Sequence, residues 1–336
     1  MAKGAMAYTM PFTRRGLCAG VAAGALTLMT GLAGCADRGE KAGRAAGSSV
    51  TKKRARTKET ADTASSNASA ASAWLDGARD AVQAAVDACG GNVSVYCAPL
   101  DATTFKPIDG EIAIAADERH VAASVIKLAI LACALDAAAA GTLSLDEQIC
   151  VREQDIVGGS GDIQAKGAGV SYGVDELLCA MIAQSDNVAA NLMIERLGMD
   201  AVNDECERLG LTATRLERLM MDAAAQEAGR ENYTSARDAS RTLELIASDG
   251  IATPELCERA RGYLLQQRDN LGIAEGVATG TQVAHKTGSL ANAQHDAAIV
   301  YAARPYVLTV LTQDLGREQA LELERTISAA ISAAAS

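Results

Sequence analysis

The sequence predicts an α+β fold: a mostly antiparallel sheet of five strands, with an all-helical lobe inserted between its early and late strands. Two observations lead there. Short alternating apolar runs stand at both ends of residues 73–336, and the stretch between them has helical spacing. The 336-residue chain is also 49% hydrophobic, enough to fill one sizeable core. Aromatic residues are only 3% and alanine is abundant, so the helices are expected to pack through small side chains.

The elements follow in order. A helix runs from about Ala73 to Cys89, and Gly90-Gly91 close it. "NVSVYCAPL" and "EIAIAA" alternate and read as a strand pair, with Asp109-Gly110 between them. "HVAASVIKLAILACAL" is a helix to about Ala140, and the signals stay helical to about Gly210. Ser235 stands three residues before Asp238, a capping box with a periodic helix behind it. "QVAHKTGS", "HDAAIVYAA" and "YVLTVLTQ" give three late strands, and a last helix covers about Arg317 to Ala334.

The body carries little that would bind nucleic acid. Residues 1–35 hold a charge of +3 and residues 36–72 hold +4, which leaves −18 on the rest of a chain whose net charge is −11. Seven of nine cysteines fall after residue 72, an odd number with no C-x-x-C pair. They are expected mostly as buried small apolar groups rather than as disulfides or a zinc site. Nothing here asks for a partner chain, and a monomer is expected.

The N-terminus reads as an address. Arg14-Arg15, an uncharged apolar stretch, and then Leu32-Ala33-Gly34-Cys35 have the order of an export signal. The ending resembles a bacterial lipobox, in which Cys35 takes the lipid and becomes the new first residue. The arginine pair weakly resembles a twin-arginine signal. Gly16 to Gly34 is also long enough, at 19 residues, to be an uncleaved span. Either way the body is expected outside the cytoplasm. On the lipobox reading it is a lipoprotein on the outer face of the bacterial cytoplasmic membrane. Residues 36–72 are rich in Ala, Ser, Thr, Gly, Lys and Arg, with four acids and one large apolar residue, Val50, and read as a disordered basic tether near an anionic surface.

Three short motifs concentrate the chemistry. Ser124 opens an apolar helix, and Lys127 follows one turn later on the same face. A buried ammonium there is disfavoured, so the lysine can accept the serine's proton. Taken alone, the pair reads equally as a cap with a snorkelling lysine; the tether has its own S-x-x-K, Ser49 to Lys52. Ser185-Asp186-Asn187 lies between two helices, where such residues are ordinary caps. Lys286-Thr287-Gly288 lies in a strand, which a glycine weakens unless something approaches its backbone. What stands out is the set: S-x-x-K, S-D-N 61 residues after Ser124, and K-T-G 101 residues after Ser185.

From about Ala73 onward, over roughly 260 residues, the chain resembles the class A β-lactamases. "LMMDAAAQEAGRENYTSARD", "HKTGS" and "HDAAIV" resemble the broader class-A-like serine hydrolase family. The resemblance implies a three-layer α/β/α arrangement of the β-lactamase and D,D-peptidase kind, and acyl-serine hydrolysis of a β-lactam or peptidoglycan-like amide. It implies Ser124 as nucleophile, Lys127 as its base and Ser185 as proton relay. Asn187 would position the substrate, Lys286 with Thr287 would read its carboxylate, and Gly288 would belong to the same substrate-binding strand. The backbone N–H groups of Ser124 and Ser289 would form the oxyanion hole. No metal or cofactor is implied. A classical Ser-His-Asp hydrolase is disfavoured, because "GGSGD" (Gly158 to Asp162) is not a nucleophile elbow.

Two places break the family's pattern. There is no E-x-x-L-N, and the deacylating glutamate's position falls on Met220, with Glu217, Asp222, Glu227 and Glu231 nearby. Slow turnover is therefore expected, as in a penicillin-binding protein or D,D-peptidase; a non-catalytic binding lipoprotein is the rival from another class. In place of an arginine after K-T-G, His295 stands near that site.

Overall fold

The computed structural model describes residues 73–336. The signal-like segment 1–35, with Cys35, and the tether 36–72 lie outside the described residues. Helix α1 (Trp74–Cys89) ends at Gly90 in left-handed backbone, φ +76°. Strands β1 (Asn92–Pro99) and β2 (Ile112–Ile114) follow. A 3-10 turn, Ala123–Ile126, feeds α2 (Lys127–Ala139). Then come α3 (Val174–Ala183), α4 (Asn187–Leu197), α5 (Met199–Leu209), α6 (Ala236–Ala247) and α7 (Pro254–Leu264). Strands β3 (Gln282–Leu290), β4 (Ala293–Tyr301) and β5 (Tyr306–Gln313) precede α8 (Arg317–Ala334).

The five strands form one antiparallel sheet in the order β2-β1-β5-β4-β3. Its early and late halves meet where Asn92 pairs with Gln313 and Pro99 with Tyr306. Strand alternation sorts the core into two layers. Ala297 and Ile299 face the cluster that holds α2 and α6, whereas Ala298 and Val300 face α1 and α8. Every residue of α2 from Lys127 to Leu135 is buried, as a helix apolar on all sides must be. Strand β3 is a sheet edge, so the K-T-G segment has one ladder side unpaired.

Several local expectations need correcting. The stretch before α3 is not helical: Gln148–Cys150 pairs with Ser171–Gly173, with 3-10 turns between. Gly159, Gly161, Gly167 and Gly169 all take positive φ there, which a continuous helix forbids. The capping box of α6 is half made. Ser235 accepts from Asp238 N at 3.1 Å, but the Asp238 carboxylate turns away to Ala213 N and Thr214 N, both at 2.8 Å. Helix α7 has no counterpart in the sequence reading, although Thr253 caps it and Pro254 sits in its first turn. Of the seven free cysteines after residue 72, four are buried, and Cys150 is exposed.

Candidate active site

Three elements that are remote in sequence converge on Lys127. The 3-10 turn presents Ser124 one turn ahead of the lysine, and Ala123 before it takes positive φ, +46°. Between α3 and α4 the chain doubles back at Ser185, φ +55°, and Asp186 caps α4 by accepting from Ala189 N at 2.9 Å. Edge strand β3 closes the third side. Strained non-glycine backbone thus stands at two of the three motifs.

Lys127 has no exposed surface. Its Nζ lies 3.1 Å from Ser124 Oγ, 3.2 Å from Ser185 Oγ, 2.7 Å from Ser185 O and 2.8 Å from Asn187 Oδ1. The last two are carbonyl oxygens and can only accept. A neutral amine has two N–H groups for them, and its lone pair is left for a hydroxyl hydrogen. Burial, first, and then the charge of Lys286 hold Lys127 well below an ordinary lysine; Asp186 opposes them. The geometry therefore suits a neutral lysine that takes a proton from a serine.

Ser185 is shared. Its Oγ also lies 3.1 Å from Lys286 Nζ, so one hydroxyl sits between two buried lysines. Lys286 donates to Thr287 O at 2.6 Å, and burial pulls it down to about 7, while Asp296 and Asp269 pull it back up. Asn187 donates to Gly158 O at 3.0 Å, which fixes its amide with the oxygen toward Lys127. Gly288 explains the glycine in K-T-G. A Cβ there would lie 3.1 Å from Ser124 N, 3.1 Å from Ala123 Cβ and 3.2 Å from Val125 Cγ2. The strand backbone thus runs directly against the serine's backbone.

Two cavities share Ser124, Ser160 and Ser289. One, of about 170 Å³, is bounded by Asn187, Met220, Met221, Arg218 and Glu231; the other, of about 190 Å³, by Ser185, Thr287, Gln267 and Arg268. Met220 does stand in the Ser124 cavity. Asn191, which the sequence reading missed, clamps it there: Asn191 Oδ1 accepts from Met220 N at 2.7 Å, and Nδ2 donates to Met220 O at 3.0 Å. Asn191 is one turn after Asn187 on α4, and that spacing was the available signal.

Of the four nearby carboxylates only Glu231 lines the Ser124 cavity, and Glu227 ends a short helix, Ala223–Glu227. Glu217 lies 3.8 Å from Arg119 and 3.9 Å from Arg215, and Asp222 caps the short helix Ala223–Glu227; neither lines the Ser124 cavity. Glu231 does line it, but Arg218 holds it at 2.8 Å and Gln226 at 2.6 Å. His295 is no substitute arginine. It is fully buried near the start of β4, with Nε2 2.8 Å from Val121 O and Nδ1 accepting from Thr312 N at 3.1 Å. Among the described residues no group of three or more His, Cys, Asp or Glu is placed to hold a metal.

Residues 77–335 match the model of a family described as the β-lactamase enzyme family. A β-lactamase of Streptomyces lavendulae is 32% identical over 208 residues, 59% of this chain and 68% of that protein. One of Rhodobacter capsulatus is 28% identical over 211 residues, 60% and 70% of the two chains. Among solved structures, a β-lactamase from Sphaerobacter thermophilus aligns with TM-score 0.68 and 26% identity over 76% of this chain and 95% of that one. A mutant of PBP-A, solved as an acyl-enzyme complex with penicillin G, aligns with TM-score 0.69 and 25% identity, covering 77% and 96%. Fold and relatives define the class, a serine hydrolase built on an antiparallel sheet. The chain belongs to the β-lactamase enzyme family, as a class-A-like member.

Proposed function

We propose that the protein is an exported, membrane-tethered serine hydrolase that opens β-lactam amides through an acyl-Ser124 intermediate and releases the product slowly. One observation carries the chemistry: the buried Lys127 Nζ lies 2.7 and 2.8 Å from two carbonyl oxygens, which can only accept, and 3.1 and 3.2 Å from the hydroxyls of Ser124 and Ser185, an arrangement that as a neutral amine leaves its lone pair for a serine proton. Ser124 Oγ attacks the amide carbon as its proton passes to Lys127. The N–H groups of Ser124 and Ser289 hold the oxyanion. The carbon–nitrogen bond then breaks, and Ser185 hands a proton to the leaving nitrogen, replenished from the lysine side. Lys286 and Thr287 meet the substrate carboxylate. Relatives named β-lactamase, and the penicillin acyl-enzyme of PBP-A, support the substrate class.

Met220 favours a second reading, a penicillin-binding protein or D,D-peptidase that acts on a peptidoglycan-like amide. A thioether cannot take a proton from water, so the ester at Ser124 is long-lived. Export and lipid attachment rest on the sequence of residues 1–35 alone. Protein mass followed over time with a penicillin separates the readings. A transient adduct means a β-lactamase and a lasting one a penicillin-binding protein. No adduct sinks both.

A further inference from the structure

Edge strand β3 turns backbone groups outward that its own sheet does not use. Leu290 and Ala293 close the β3–β4 hairpin over residues 291 and 292, so they form a hydrogen-bonded pair. Such pairs alternate along an antiparallel ladder. Ser289 with Gln294, and Thr287 with Asp296, therefore exchange no backbone bond, and Ser289 and Thr287 point their N–H and C=O out from the edge. Thr287 O shows the direction, since Lys286 Nζ donates to it at 2.6 Å. Ser289 N–H leaves the same edge, next to the place where the strand backbone presses on Ser124 N. A side-chain bond ties Ser289 across to β4: its Oγ donates to Gln294 Oε1 at 2.7 Å. Gln294 is itself fixed to β5, because its backbone carbonyl accepts from Thr312 Oγ1 at 2.8 Å.

Gln294 is an odd residue to bury. It is 3% exposed, and its Nε2 has no partner. An amide that uses its oxygen and strands its nitrogen does little for the fold, because the orphaned group costs at least as much as one hydrogen bond returns. An apolar side chain of that length would pack as well. We propose that Gln294 is a positioning residue that acts through Ser289: it pins the penultimate residue of the edge strand, so that Ser289 N–H stays aimed at the oxyanion. The strand end needs a pin. Ser289 and Leu290 are exposed, and β3 has no strand on its outer side. An oxyanion hole works through donors that are already fixed where charge develops. An unpinned Ser289 would still admit the substrate, but it would have to be ordered in the transition state. The effect on rate rests on the acyl-serine reading; the tether itself does not.

Gln294→Met is the test, because it removes the acceptor and keeps the bulk. Acylation of the full-length protein by a penicillin, followed by mass, should slow about tenfold, a part of the roughly 10²–10³-fold that a whole oxyanion donor contributes. The loss should fall on the first-order acylation step and not on substrate binding. The melting temperature should hold or rise. Ser289→Ala removes the donor of the same bond and should slow acylation by a like factor, and the two changes together should cost no more than either alone. Backbone ¹⁵N relaxation needs no reaction: the order parameter at residue 289 should drop in Gln294→Met. An unchanged acylation rate or an unchanged order parameter in folded Gln294→Met overturns the proposal, and so do losses that multiply in the double variant. Should Gln294→Met fail to fold, Ser289→Ala breaks the same bond from an exposed position, and an unmoved order parameter there is equally fatal. A wild type that takes no adduct counts against the acyl-serine reading and leaves relaxation to decide on the tether.

Discussion

Asn191 grips the backbone of Met220 from both sides, accepting from its N–H at 2.7 Å and donating to its carbonyl at 3.0 Å. The clamp fixes that residue at the wall of the Ser124 cavity whatever its side chain is. The side chain therefore decides what the acyl-enzyme meets.

Turnover follows from that side chain. With a thioether at the wall, a chromogenic cephalosporin should give a burst of one equivalent and then a slow steady rate in stopped flow. Met220→Glu should speed the slow phase, by up to about 10²–10⁴-fold if the carboxylate reaches the attacking water. Ala224, which stands where the resemblance would place an asparagine to hold that water, is exposed and lines neither cavity, so the single change is the cleaner test. A fast linear rate without a burst, lost in Glu231→Gln, would show that the pocket's other carboxylate has taken the role.

Lys127→Met should separate stability from chemistry. Methionine fills a similar volume without a buried amine, so the melting temperature should hold or rise. Acylation by a penicillin, read by mass, should slow by about 10²–10⁴-fold. In the wild type acylation should decline on acidification, as the lowered Lys127 gains its proton. A variant that labels at the normal rate would remove Lys127 from its assigned role.

Gly288→Ala should damage the site more than the fold. Its methyl would press on Ser124 N and Ala123 Cβ, each 3.1 Å away, and cost about 1–3 kcal/mol by overpacking. Urea unfolding gives that figure. The adduct rate should fall further than a stability loss of that size explains, because the displaced atoms carry the nucleophile.

Acid should weaken the fold through β4. Burial holds His295 at about 4, against an ordinary value of 6.5. Between those values the unfolded chain binds a proton that the folded one refuses. The contribution is complete above about pH 7 and is lost as pH falls from there through 4, roughly 3 kcal/mol in all. His120, whose Nδ1 has no partner, is lowered by burial in the same sense. Urea midpoints across this range should show the slope, and His295→Gln should flatten it.

Cys35→Ala should release or mis-sort the protein from the membrane fraction if the lipobox resemblance holds. Retention with residues 16–34 still present by mass would instead mean an uncleaved span.

Sheet and motifs were legible because each rests on local pattern. Strand alternation in β3 to β5 and the spacing of Ser124, Lys127, Ser185 and Lys286 need no knowledge of the tertiary fold. What escaped was set by partners far away in sequence. His295 looks like a strand-end residue until Val121 and Thr312 are seen to enclose it. Asp238 looks like half of a capping box until Thr214 takes its carboxylate. Glu217 and Asp222 looked as available as Glu231, and only the path of the loop separates them. Helix α7 was different: Thr253-Pro254 announced it locally and was overlooked.

The meeting of the sheet's two ends has a consequence for synthesis. Asn92 finds its ladder partner only at Gln313, and the edge strand beside Ser124 comes from residues 282–290. Contacts of such long sequence separation form slowly and late. A growing chain that has already released Ser124, Lys127 and Ser185 has no strand against which to set them. A message truncated before residue 282 therefore yields no weakened version of the protein, only β1 with β2 as its sole partner and an apolar helix without its sheet, for quality control to remove.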